Sequence, residues 1–163
     1  MARLWNLKFH ITSPILGPSE RIEMLLGELR RALTPKIPTQ PELGVKIGVS
    51  KYTIGRIETT DPNNLFMVDI KRYSIGLGYR FRARAFDLNG EIVKHIVNLR
   101  EAANLTQRAL SRRSEISDIS RMEIKEDIWY ITLGRLRAYV SGCDGVLEVQ
   151  VLSPITNQLI DIK

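Results

Sequence analysis

The chain has 163 residues, 44% hydrophobic and 26% charged, enough apolar mass to bury a core in one domain or two small ones. No apolar run approaches the ~18 residues of a membrane span, and polar residues interrupt the N-terminal segment too often for a secretory core, so the expected location is cytoplasmic. A single cysteine, Cys143, argues against an internal disulfide or a thiolate metal cluster, and His10 and His95 are too far apart to suggest a zinc site, so neither a metal nor another cofactor is expected.

In chain order, residues 1–19 read as an N-terminal arm in which 4–11 is a candidate strand. A first helix is expected over about 20–33, with Ile22, Leu25, Leu26, Leu29 and Leu33 at helical spacing. Thr39 with Glu42 three residues on forms a capping box, and Pro41 sits in the first turn of the second helix, where a missing N–H costs nothing. Leu43 and Ile47 line one face of that helix. Gly44 faces the third helix, Gly48 suits a left-handed turn, and Ser50 caps a third helix whose Ile54 and Ile57 point to the core, along with Val49. A fourth helix follows over about 67–77, then the alternating stretch YRFRARAF, with Phe81, Ala83 and Ala85 on one strand face and Arg80, Arg82 and Arg84 on the other. Asp87-Leu88-Asn89-Gly90 supplies turn chemistry for a linker.

The second half follows the same plan. A helix is expected over about 92–103, with Ile92, His95, Ile96 and Leu99 as its stripe and His95 as a core or boundary residue. Two shorter helices begin at Thr106, a further helix covers about 132–143, and GVLEVQVL reads as a strand in which Leu147, Val149 and Val151 alternate with Glu148 and Gln150. Cys143 reads as a buried small apolar residue, and Trp129 and Tyr130 as core plugs rather than stacking platforms. The tail, 154–163, offers another candidate strand at 159–163.

This parallel is an internal repeat. Leu29-Arg30 and Ala32 match Leu99-Arg100 and Ala102; Thr39-Gln40 and Leu43 match Thr106-Gln107 and Leu110; Ile54, Arg56 and Glu58 match Ile119, Arg121 and Glu123; Tyr73 matches Tyr139. The offsets are 67 at the threonines, 65 at the glutamates and 66 at the tyrosines, as expected for one duplicated unit with small indels. The units span 20–88 and 91–153. A lone amphipathic strand is unstable in water, so the two alternating stretches are expected to pair, antiparallel, within one pseudo-twofold body.

Charge separates the halves. Residues 1–19 carry Arg3 and Lys8 with no acid and residues 20–90 carry twelve Lys/Arg against eight Asp/Glu, whereas residues 91–163 carry ten of each, so the net charge of +6 belongs to the first half, which suits a polyanion partner. Lys51, Tyr52, Thr53 and Arg56 fall off the core side of the third helix, at its exposed end, where donors and a flat ring suit the major groove.

TQPELGVKIGVSKYTIGRIE, residues 39–58, resembles the helix-turn-helix of the Cro/λ-repressor-like family, also called the xenobiotic-response-element family. The helix-then-strand tails at 73–86 and 139–152 resemble those of antitoxin-type members, in which two protomers share a small β-lid. The resemblance implies a mainly α fold with a small β-sheet, built from tandem helix-turn-helix units as an intrachain pseudo-dimer. It implies that Gln40 contacts the sugar-phosphate backbone or an adjacent base, that Lys51 and Arg56 favour guanine N7/O6, that Tyr52 touches a thymine methyl or phosphate, and that Thr53 binds phosphate, with Ser50, the cap, also among the DNA-binding residues. In the second unit Gln107, Ser117 and Arg121 occupy the matching places. There two residues are lost between the helices, Glu115 stands near the place of Gly48, Asp118 joins it on the same side, and Ser111 is the small counterpart of Gly44.

The function implied is that of a sequence-specific double-stranded-DNA-binding repressor or autoregulator, of a phage, plasmid or other mobile element, reading an asymmetric or imperfectly palindromic operator with two unlike helices in one monomer. The alternative is an antitoxin-like or accessory factor in which only the first unit binds DNA and a protein, a toxin or a further protomer, is the other partner. Arg80, Arg82 and Arg84 read as a solvated sheet face, and Arg30, Arg31 and Lys36 either clamp phosphate or form the polar face of the first helix. An enzyme is not expected: there is no nucleophile–base constellation, and IGLGYR leads from helix into strand, the reverse of the dinucleotide-binding order.

Overall fold

The computed structural model describes residues 9–11, 26–33, 36–124, 128–155 and 159–162. It is mainly helical with a small antiparallel sheet. Two compact units arise, one from Met1–Leu65, Asp69–Arg82 and Val149–Lys163, the other from Phe66–Val68 and Ala83–Glu148. The units thus exchange short pieces relative to the sequence segments 20–88 and 91–153: the last strand and tail join the first unit.

In the first unit, α1 (Leu26–Arg31) is described from Leu26, and the earlier part of the helix expected over 20–33 lies outside the described residues. α2 (Gln40–Ile47) begins at a complete capping box: the Glu42 N–H donates to Thr39 Oγ1 at 3.3 Å and the Thr39 N–H donates to the Glu42 carboxylate at 2.7 Å. Those contacts hold the Glu42 carboxyl below the usual carboxylate range. Gly48 ends α2 at φ 74°, and α3 (Lys51–Thr59) starts at Ser50, whose side chain accepts from the Thr53 N–H at 3.2 Å. A Cβ on Gly44 would lie 2.7 Å from the Val49 carbonyl oxygen, so the absent side chain is what brings α2 against the start of α3. α4 (Met67–Gly76) buries Ile70 and Tyr73, and Leu29, Leu43 and Ile54 are buried as well.

The sheet of this unit runs β1 (Phe9–Ile11), β5 (Leu159–Ile162), β4 (Val146–Leu152), β2 (Arg80–Phe86), using the Val149–Leu152 end of β4 and the Arg80–Arg82 end of β2. Phe9–Ile11 of the candidate strand 4–11 and Leu159–Ile162 of the candidate 159–163 are strands that pair with each other antiparallel, Phe9 opposite Ile162, while residues 4–8 and 163 lie outside the described residues. Gln150, expected on a polar face, is 8% exposed and accepts from Arg82 Nε at 3.0 Å. Arg82 is thus tied to the sheet rather than simply solvated.

In the second unit Ala83–Phe86 of β2 lies between β4 and β3 (Ile92–Val93). The helix expected from residue 92 instead begins at Ile96, as α5 (Ile96–Ala102), because Asp87–Gly90 closes a tight turn. Asp87 Oδ1 accepts from the Asn89 and Glu91 N–H groups and Gly90 takes φ 83°, which folds Ile92 back opposite Phe86. Ile92 is therefore exposed, and so is His95, which flanks the helix start rather than packing in the core. α6 (Gln107–Ser114), capped by Thr106, is followed by α7 (Ile119–Ile124) and α8 (Leu133–Gly142). Met67 is fully buried here, its N–H donating to the Ile131 carbonyl at 3.1 Å, and Phe66 forms a bridge with Thr132. Cys143 is buried and free, its thiol pushed up to about 11 by burial. Trp129 is part-buried, but Tyr130 is 58% exposed and does not plug the core.

Candidate functional site

α3 has two unlike sides. Ile54, Ile57 and Glu58 are buried, while Lys51, Tyr52, Arg56 and Thr59 are exposed. One turn is 3.6 residues, so the residues that alternate between these sets at three and four positions divide the helix lengthwise. Tyr52 is 78% exposed, and the Lys51 ammonium stands 5.2 Å from its ring centroid, within cation–π range. The first turn holds no acidic residue. Ser50 and Thr53 sit at the same end with their hydroxyls 3.1 Å apart. Arg56, one turn on from Tyr52, reaches Asp69 of α4 at 3.4 Å while its side chain remains 54% exposed.

The roll of α3 about its axis is fixed by Glu58. Its carboxylate accepts from Arg30 of α1 at 2.6 Å, from the Gln40 amide of α2 at 2.8 Å and from the Tyr73 hydroxyl of α4 at 2.8 Å. Arg30 also donates to the Pro38 carbonyl at 3.2 Å. Four helices thus converge on one acid. Arg30 therefore neither clamps phosphate nor merely solvates α1, whereas Arg31 and Lys36 are exposed. Gln40 has one amide N–H committed to this network rather than free for a backbone contact. The repeat matches at Arg30, Gln40, Glu58 and Tyr73 were visible in the sequence; that they meet in one cluster was not.

The second unit rebuilds the cluster. Glu123 accepts from Arg100 at 2.6 Å, from the Gln107 amide at 2.7 Å and from the Tyr139 hydroxyl at 2.7 Å, and Arg100 donates to the Leu105 carbonyl at 2.9 Å. Ser111, in the place of Gly44, donates to the Ile116 carbonyl at 2.6 Å, and Glu115 takes the left-handed conformation at φ 59° where the first unit has Gly48. What is not rebuilt is the tip. α7 has six residues against nine in α3 and starts at Ile119, the counterpart of Ile54, so the turn equivalent to Lys51–Thr53 is missing as helix. Ile116 is buried, Ser117 lies exposed in a bend, and Asp118 pairs with Arg135 of α8. Arg121 is exposed.

Among the described residues no group of three or more His, Cys, Asp or Glu is placed to hold a metal ion, and no helix is long and apolar enough to cross a membrane. Comparison of the chain with protein-family models, with curated proteins and with solved structures found no match.

Proposed function

We propose that this chain is a sequence-specific double-stranded-DNA-binding protein, a transcriptional repressor or autoregulator, with α3 as its principal reading element in a helix-turn-helix. One observation carries the reading: a capped, firmly anchored helix presents Lys51, Tyr52 and Arg56 outward, with no acid in its first turn. An α-helix fits the major groove, and Arg or Lys there pairs with guanine O6 and N7. In this reading Lys51 and Arg56 contact base edges, Tyr52 a thymine methyl or a phosphate, and Ser50 and Thr53 phosphate oxygens.

The missing first turn of α7 favours a particular form of this function, in which the two units are unequal and the operator is correspondingly asymmetric. It also favours the second reading, an antitoxin-like or accessory factor whose second unit meets a protein partner. Selection of bound sites from random duplexes at fixed salt tests both. Enrichment of a motif that loses one base position in Arg56→Ala supports the first unit as reader; no enrichment overturns DNA reading. If the double change Ser117→Ala and Arg121→Ala leaves the selected motif and affinity intact, the second unit does not read bases.

A further inference from the structure

Gly55 lies in the middle of α3, in the helix interior, where glycine is the least favourable residue apart from proline. Gly44, Gly76 and Gly48 each have a structural reason. A Cβ at Gly44 or Gly76 would strike a neighbour at 2.7 or 2.3 Å, and Gly48 takes a positive φ. Gly55 has neither: a Cβ there would meet nothing within 4 Å, and the backbone is helical. Its neighbours on the helix surface are Lys51 and Tyr52 one turn before and Thr59 one turn after, all exposed, with Arg56 beside it. The Thr59 hydroxyl donates to the Gly55 carbonyl at 2.9 Å, which satisfies that group and keeps the threonine side chain folded against the helix. The outcome is a notch of bare backbone on the very flank that carries the long reading side chains.

Resting on the DNA-reading function above, we infer that Gly55 is a specificity-determining close-approach position: the notch lets the α3 backbone lie against a base-pair edge, at a depth that any side chain would prevent. Helix propensity is sacrificed at a site where the fold gains nothing by packing, so the space is kept for something outside the fold. Lys51, Tyr52 and Arg56 then reach the groove floor from both sides of the contact. The second unit has Ser120 at the matching place, exposed on the shortened α7, so the close approach belongs to the first unit alone.

The test uses full-length protein and the duplex recovered by site selection. Gly55→Ala should raise the Tm by about 2–4 °C through helix propensity alone. It should weaken binding to the selected duplex about tenfold or more while leaving affinity for a scrambled duplex and its salt dependence unchanged, and Gly55→Leu should weaken specific binding further. If wild type shows no preference for any duplex, the DNA-reading function itself fails. If wild type discriminates and Gly55→Ala discriminates equally, the close-approach role is wrong. Loss of binding to both duplexes by a stably folded Gly55→Ala would also overturn it, since that would make the position a general phosphate contact.

Discussion

Arg30 Nε donates to Glu58 Oε1 at 2.6 Å across 28 residues of sequence, and the two side chains are only 15% and 6% exposed. This contact couples the first helix to the last turn of α3, and the Tyr73 hydroxyl and Gln40 amide complete the shell of donors around the acid. Removing a member of such a buried set leaves a charge or a hydroxyl with no partner, which is more damaging than never having built the set. Glu58→Ala is therefore expected to destabilise the protein by about 3–5 kcal/mol in urea unfolding. Glu58→Gln, which keeps an acceptor for Tyr73, should lose less. An unchanged midpoint in Glu58→Ala would show that α3 is held by apolar packing alone.

The same clusters set a pH window. Burial drives the Glu58 and Glu123 carboxyls upward, but their hydrogen bonds from arginine, glutamine and tyrosine prevail and hold both below the ordinary carboxylate range. The unfolded chain therefore takes up protons first as the pH falls. The stabilisation is complete above the unfolded carboxylate pKa of about 4.3 and is lost as the pH drops through the folded values. Tyr73 and Tyr139 shift the other way, raised by burial and then by donation to the glutamates. Their share is complete below about pH 10 and lost as the pH rises beyond it. Urea midpoints measured against pH should fall at both ends, and Glu58→Gln with Glu123→Gln should flatten the acid limb while leaving the neutral plateau level, at a lower height.

A Cβ on Gly76 would stand 2.3 Å from Ile47 Cγ2 and 3.0 Å from Leu43 Cδ1, and one on Gly142 would stand 2.6 Å from Leu110 Cδ1. α4 and α8 thus cross α2 and α6 at the same repeated point. Gly76→Ala should cost about 1–3 kcal/mol by overpacking. Adding Ile47→Ala removes the struck methyl, so the double variant should be more stable than the sum of the two single changes. Strict additivity in chemical denaturation would mean that α4 simply moves aside.

Asp69 lies 3.4 Å from Arg56 on an exposed face, where an ion pair adds little to folding. In the proposed DNA-reading role, however, that carboxylate would compete with guanine or phosphate for the guanidinium and repel the backbone. Asp69→Asn should leave the Tm within about 2 °C of wild type and tighten DNA binding, most at low salt, whereas Arg56→Ala should lose about 1–3 kcal/mol and relax one base position. Titrations at several salt concentrations separate these effects. Weaker binding in Asp69→Asn would mean that Asp69 orients Arg56 rather than competing for it.

Local signals were written plainly in the sequence. The Thr39 box, the Gly48 turn and the Ser50 cap each depend on residues within four positions of one another, and each formed as read. Gly48 and Glu115 share a left-handed place because the turn is defined by chain geometry, whatever side chain occupies it. Long-range outcomes were less visible. Arg30 reads as a phosphate clamp or a polar-face residue and Glu58 as a repeat match, but nothing local ties a residue in α1 to one in α3. The stripe Ile92, His95, Ile96 and Leu99 satisfies helical spacing, yet the Asp87–Gly90 turn takes its first part into β3, a competition decided by strand pairing rather than periodicity. On α3, the outward set Lys51, Tyr52 and Arg56 followed from the apolar positions alone, but the commitment of Gln40 and Gln107 to buried acids did not.

The terminal strands carry a consequence for how the molecule comes into being. The first unit begins at the start of the chain but includes Val149–Lys163, whereas every piece of the second is present once Glu148 has been made. Synthesis therefore supplies every piece of the second unit before the first receives the Val149–Leu152 end of β4 and the strand β5. A stop placed just after Glu148 would leave the α3-bearing unit incomplete while sparing every piece of the other.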